Sequence, residues 1–492
     1  MSKPSTTVPE RLSARDRTTI TVLLVSAFVV ILNETIMNVA LPRLMHEFDV
    51  SASAIQWLAT AFMLTMAVVI PATGYLLTRF PIRTVFILAM GLFSAGTLLA
   101  GLAPGFEVLL AARVIQASGT AIMMPLLMTT ILDLVPSHRR GAVMGNVSIV
   151  ISVAPAIGPT LSGIILHSLS WRFMFLFVLP IAVIALILGS RLLPTTSERA
   201  ASRLHIPSVL ISIPAFGGLV YGLSGIGSVD AATQQLAIVA LVVSLISLLA
   251  FVLLQLRLQR NDGALLDMRP FVYRQFTLSL SLMVMAMVAL FGVIILLPMY
   301  LQNVRGLEVL NTGLLMLPGG LLMGLLAPFV GKLFDKVGAR PLLIPGGMLL
   351  SAVLFGYTRL DENTSLVIIV GLHLLMSIAL AFIFTPAFTA GLNPLPHSLH
   401  SHGSAMLSTL QQLGGAAGTA LLIGVMTAGT LSAAEAGKDA IAAQASGFSN
   451  GFMVAAFVSL GIVVIAAFMA PAKKAKAEAA LDNHELSSQG VH

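Results

Sequence analysis

Apolar residues in this chain do not fall at the three-to-four spacing of a half-buried helix; they run on without interruption. Stretches of about 20 nearly uncharged residues follow one another, each long enough to cross ~30 Å of hydrocarbon as a helix. Fourteen can be counted, at 18–41, 53–78, 84–103, 107–132, 142–166, 172–193, 207–227, 232–256, 276–302, 309–331, 341–359, 365–390, 403–430 and 449–470. The polar breaks divide the chain into an N-terminal segment 1–17, a six-helix bundle 18–193, a loop 194–206 and two further helices within 207–256. A linker 257–275, a second six-helix bundle 276–470 and a tail 471–492 follow, the tail expected to be disordered. An outer loop is expected at 431–448. The pattern predicts an all-α, multi-pass membrane protein with both termini on one face.

Composition agrees. Hydrophobic residues make up 57% of the 492 and charged residues 10%, against about 45–50% and 25% in soluble domains. The net charge of +7 would suggest a nucleic-acid partner in a soluble chain, but here its placement decides otherwise. With the N-terminus cytoplasmic and charges at span ends counted with their loops, inner segments hold 21 of the 27 Lys and Arg residues, outer segments five, and Arg113 alone lies deep within a span. This is the positive-inside bias, and it places both termini in the cytoplasm of a cell-membrane protein. Zero cysteines exclude disulfides, thiol catalysis and thiolate metal sites. No G-x-x-x-x-G-K-[ST] loop is present to bind nucleotide, so an ATP-driven pump would need a partner chain, and no cofactor is expected.

Two short loops repeat. GYLLTRFPIR (Gly74 to Arg83) follows the second span and GKLFDKVGAR (Gly331 to Arg340) the tenth, 257 residues on. The stretches GAVMGN at 141–146 and GSAMLS at 403–408 echo each other 262 residues apart. The repeat implies two six-helix halves, spans 1–6 and 9–14, with spans 7 and 8 inserted. Internal repeats in a membrane protein point to a transporter whose site lies at the repeat interface near the midplane.

The loops resemble the signature between helices 2 and 3 of the major facilitator superfamily, G-x-L-a-D-r-x-G-r-k. The second copy keeps Gly331, Asp335, Gly338 and Arg340; the first keeps Gly74, Arg79 and Arg83 but has Thr78 for the Asp and Pro81 for the second Gly. Span 5 contains SVAPAIGPTLSG, with Gly158, Pro159 and Gly163 in the order of the antiporter signature of drug:proton exporters. Pro155 and Pro159 remove two backbone donors, and small residues admit a neighbouring helix, which suits a pivot or a tight seam. ARVIQASGTA in span 4 resembles the family's R-x-x-Q-G, with Arg113 and Gln116 one turn apart and Ala117 for the Gly. ILNETIMNVALP at 31–42 resembles L-D-x-T-I-V-N-V-A-L-P of helix 1 in the fourteen-helix branch of drug:proton antiporters, and its L-N-E-T form the lincosamide and multidrug type.

One departure matters most. The family's Asp position is Asn33, and the acid is one residue later, Glu34, a rotation of about 100° on a helix. Counting from the outer ends puts Glu34 and Arg113 at similar depth, roughly 10 Å in at 1.5 Å per residue. A charge such as Arg113, costing ~2.5–3.5 kcal/mol at a helix centre, needs an interior partner. Glu34 can be that partner, directly or through Gln116 or water, or a proton carrier, or a counter-ion for a cationic substrate; Asn33 and Asn38 flank it. Asp133 can pair with Arg79, Arg139 or Arg140. His397, His400 and His402 share a loop in which no acid or thiol accompanies them, so no metal site is expected; His373 should hydrogen-bond a neighbour.

The resemblance implies proton-coupled export of lipophilic drugs by alternating access, with monocationic, zwitterionic or neutral compounds and protons as partners, a lipid bilayer around it and no nucleic acid. A monomer is expected. A carrier of a metabolite or lipid-like acid would share the fold. A membrane-embedded enzyme would need catalytic groups clustered at one interface, and the sequence clusters none.

Overall fold

The computed structural model describes residues 13–195, 205–225, 231–261 and 263–470, apart from the side chains of residues 38, 39, 42, 52, 53 and 309. The expected disordered tail and most of the N-terminal segment thus lie outside the described residues, as do parts of the loops near 200 and 262. Among those described, fourteen helices are long and apolar enough to cross a membrane. The first half contains α1 (Ala14–Glu47), α2 (Ala52–Arg79), α3 (Ile82–Gly101), α4 (Phe106–Leu134), α5 (Arg140–Ser168) and α6 (Arg172–Leu192). Then come α7 (Ile206–Gly225) and α8 (Ala231–Leu258). The second half contains α9 (Arg274–Asn303), α10 (Val309–Val337), α11 (Arg340–Tyr357), α12 (Leu366–Leu392), α13 (His400–Glu435) and α14 (Ala440–Ala467).

Local chemistry sets the ends. Ser13, Ser51, Ser365 and Asp439 accept an N–H of the first turn at the starts of α1, α2, α12 and α14. The cap at Asp439 and the helix-forming stretch AIAAQASG pull α14 back to Ala440, and α13 runs on to Glu435, so the outer loop expected at 431–448 is four residues long. α1 likewise continues past Pro42 to Glu47, so the helix runs thirteen residues, about 20 Å, beyond Glu34. α10 stops where Gly338 takes φ +82, a conformation a Cβ disfavours. At the matching position of the first repeat Pro81 starts α3 after an extended Phe80, so the two loops share a register and turn by different chemistry.

The halves meet along two seams, α5 with α10 and α2 with α13. The internal repeat exchanges these seams, as α2 corresponds to α10 and α5 to α13. The inserted α7 and α8 pack on each other, and α7 leans on α2 and α13, with Trp57 stacked on Tyr221. α7 has a π-helical turn at Ile213–Gly217 around Pro214; the Ser244 hydroxyl of α8 donates to the Ala215 carbonyl there at 2.6 Å. α8 exposes Leu236, Val239, Val242, Ile246 and Leu249, a face suited to lipid.

Candidate functional site

The site is assembled where α1, α2, α3 and α4 converge. Arg113 is 1% exposed. Its Nη1 donates to Gln116 Oε1 at 2.6 Å and reaches Asn33 Oδ1 at 3.5 Å, and its Nε reaches the Leu58 carbonyl at 3.4 Å. The Phe62 ring lies 3.9 Å from the guanidinium carbon, a cation–π contact strengthened by burial. Gln116 in turn donates to Thr97 Oγ1 at 2.7 Å, and Thr97 donates to the Phe93 carbonyl. Small residues make this possible: a Cβ on Gly96 would stand 2.6 Å from the Gln116 amide nitrogen, so α3 and α4 can touch only at a glycine. Ala117, where the family pattern has Gly, packs with Phe62, Met66, Ile70 and Ala121.

The one-residue offset in α1 therefore has a structural outcome. Asn33, at the family's acid position, is buried and faces Arg113. Glu34 is turned onto a different face. From Ser26 to Met37, α1 buries every residue except Phe28, Ile31, Glu34 and Thr35, which form one partly exposed stripe. Glu34 feels Arg113 electrostatically, yet among the described residues it makes no hydrogen bond and no ion pair. The direct acid–base pair that sequence allowed is absent because neutral groups fill the first layer around the guanidinium. The Asn38 side chain lies outside the described residues. Thr97, Phe62 and the Leu58 carbonyl were not legible as parts of the site, since nothing in an apolar run marks which residue will meet a charge. The Gln411 Nε2 of α13, an atom buried without a hydrogen-bond partner among the described residues, was also missed. Its helix packs on α2 and α4, and a polar group in a small-residue span was the available signal. His373 bonds the Met316 carbonyl, as expected.

The residues of the repeated loops, Asp133 and the start of α5 gather on the face where α1 begins and α14 ends. Asp335, at the end of α10, accepts the backbone N–H groups of Gly141 and Ala142 at 3.0 Å each, capping α5 from the opposite half. Gly331 and Gly141 touch backbone to backbone beside it. In the first repeat Gly74 makes the equivalent approach, and a Cβ there would lie 2.9 Å from His402 Nδ1 of α13. Thr78 bonds the Tyr75 carbonyl of its own helix and caps nothing across the seam. Arg79 lies near the Phe80 ring, Arg83 is half-buried and Arg340 exposed. Asp133 pairs with His397 and His400, and Arg140 feels its charge without an ion pair to it. The Arg140 guanidinium is committed to the Leu132 and Val135 carbonyls and to Asn393 of the other half. Ser148 of α5 and Thr385 of α12 bond at 2.7 Å. Hydrogen bonds described between the halves all lie on this face, so it is closed.

In α5 the expected seam is present on two sides. Gly158 accepts Thr35 of α1 in close contact, and Gly163 faces Leu310 of α10; Pro155 and Pro159 lie inside an unbroken helix. Since the chain has no cysteine, a Ser148→Cys/Thr385→Cys pair reports closure without background. Oxidation should form the cross-link spontaneously, abolish transport and be reversed by reductant; an uncross-linked pair would contradict the closed geometry.

Comparison with known proteins is consistent across sequence and fold. The model of the Major Facilitator Superfamily matches residues 23–419. The uncharacterized MFS-type transporter YcnB of Bacillus subtilis is 42% identical over 89% of this chain and 92% of its own. The lincomycin resistance protein LmrB of Listeria innocua is 38% identical over 87% of this chain and 92% of its own. Among solved structures, the proton:xylose symporter XylE superposes with a TM-score of 0.64 over 94% of this chain and 97% of its own, at 16% identity. An all-helical chain of fourteen spans in two repeated halves, matched by the family model over most of its length, belongs to the Major Facilitator Superfamily.

Proposed function

We propose that this transporter exports lipophilic small molecules, lincosamide-like compounds among them, in exchange for entering protons. The observation that carries the proposal is Glu34: a carboxylate in mid-helix, on the partly exposed stripe of α1, with no ion pair among the described residues to hold its charge. Such a group can take up a proton without breaking a salt bridge, and so can alternate between proton and substrate at little structural cost. Arg113, held by Asn33, Gln116 and Phe62, supplies a fixed positive field beside it. The Lys and Arg bias assigns the closed, terminus-bearing face to the cytoplasm, which leaves Glu34 to be loaded with a proton from outside. Protonation then favours release of substrate, closure of the outer face and opening of the inner one. The names of relatives such as the lincomycin resistance protein support the substrate class.

The test is purified protein in proteoliposomes with an imposed pH gradient, scanning a panel that includes a lincosamide for uptake and proton release. Gradient-dependent uptake abolished by a protonophore is the expected result. Uptake indifferent to the gradient would sink proton coupling, and transport of metabolite acids uninhibited by the drugs would sink the substrate class.

A further inference from the structure

The three loop histidines lack an acid in the sequence, but folding supplies one from 264 residues away: Asp133, at the end of α4, lies between His397 and His400. Asp133 Oδ1 is 2.9 Å from His400 Nδ1 and 3.3 Å from His397 Nε2. His400 Nε2 is 3.1 Å from the Leu395 carbonyl. A carbonyl can only accept, so Nε2 carries a proton, and Nδ1 is the ring atom turned to the carboxylate. The two atoms are 2.9 Å apart, a separation bridged by a second ring proton or by a metal ion that takes that proton's place.

We infer that Asp133, His397 and His400 form a binding site for Zn2+ or a chemically similar transition-metal ion, and that the bound ion latches the closed face. Two imidazoles and one carboxylate, with water in the fourth position, form a familiar tetrahedral zinc set. Arms of about 2.0–2.2 Å place tetrahedral ligand atoms about 3.3–3.6 Å apart, the separation of Asp133 and His397 at 3.3 Å and wider than that of Asp133 and His400 at 2.9 Å, which an ion would spread. His400 also has its second nitrogen anchored on a backbone carbonyl, the support that fixes the tautomer of a ligating histidine. His397 is 76% exposed, which gives an ion a route in and leaves one ligand free to adjust. Arg140 is a neighbouring positive charge, but its guanidinium is turned to carbonyls and Asn393, so it does not occupy the ligand position.

The ligands come from opposite halves, Asp133 from the first and the histidines from the second. An ion holding all three binds the closed face better than the open one, and must therefore stabilise it by that difference in affinity. Micromolar zinc on the terminus-bearing side is expected to inhibit transport.

Zinc binding to the untagged full-length protein in nanodiscs, measured by competition with a chromophoric chelator, tests this independently of what is transported. One tight site per chain is expected, weakened at least about tenfold by His397→Ala, as for loss of a metal-supporting group. Because His397 is exposed, that variant should keep the fold. His167→Ala, outside the cluster, should bind as the parent does, and Mg2+ should not compete. Relief of zinc inhibition in His397→Ala completes the expectation. No stoichiometric zinc, or zinc binding unchanged by His397→Ala, would overturn the site. Zinc bound through the cluster without any effect on transport would overturn the latch.

Discussion

Glu34→Gln is expected to reduce gradient-driven substrate flux in proteoliposomes by on the order of 100-fold, comparable with removing a positioned proton donor and acceptor. The substitution keeps volume and shape. Because Glu34 has no hydrogen bond or ion pair to lose among the described residues, folding should be almost untouched, and the thermal midpoint of the purified variant should match the parent's. Substrate counterflow without a gradient then separates the roles left open by the sequence. If Glu34 carries the proton, exchange of labelled for unlabelled substrate persists; if it is the counter-ion of a cationic substrate, counterflow falls too. Drug-dependent proton movement retained in vesicles of the variant would refute both roles. Moving the acid one residue back, in Asn33→Asp/Glu34→Gln, should not restore coupling. An acid at 33 would stand beside the Arg113 guanidinium, where Asn33 Oδ1 now lies at 3.5 Å, and would be held there as an ion pair.

Sequence reading found the architecture because bilayer thickness and repeat symmetry leave few choices. Runs of apolar residues marked fourteen spans, and the paired loops at Gly74 and Gly331 marked two repeated halves. It failed where a contact depends on helices brought together from afar. Asp133 looked like a partner for nearby arginines, yet Arg140 turns to carbonyls at the end of α4, and the histidines of the other half take the carboxylate. The relation between Glu34 and Arg113 failed for a subtler reason. Depth was judged well enough to bring α1 and α4 together, but the face was not, because Asn33 and not the acid points at the guanidinium. A rotation of 100° is clear in the sequence only when it is known which face the neighbour occupies, and the resemblance supplied a family position that this chain fills with an amide.

The second large effect is expected at the closed face itself, from Gly331→Ala. A methyl added there would land on the Gly141 carbonyl oxygen and crowd the Gly141 carbon and Ala142 Cα, all of them backbone atoms that cannot swing away. The seam must part, and the two hydrogen bonds from Gly141 and Ala142 to Asp335 are stretched with it. Overpacking of this kind costs about 1–3 kcal/mol, and the cost falls only on the state in which α5 and α10 touch at this end. A shift of that size changes the ratio of closed to open forms by about 5–150-fold, enough to stall a cycle that must visit both. Labelling of a buried Thr385→Cys by a bulky maleimide from the terminus-bearing side should rise accordingly, and transport should fall by about the same factor. Gly91→Ala is the control, since a methyl there meets open space within the same kind of helix. If Gly331→Ala transports normally and leaves Thr385→Cys protected, the contact between Gly331 and Gly141 does not hold this face shut. The alanine itself adds about 1 kcal/mol of intrinsic helix preference in both variants. A defect confined to Gly331→Ala therefore isolates the seam from the helix that carries it.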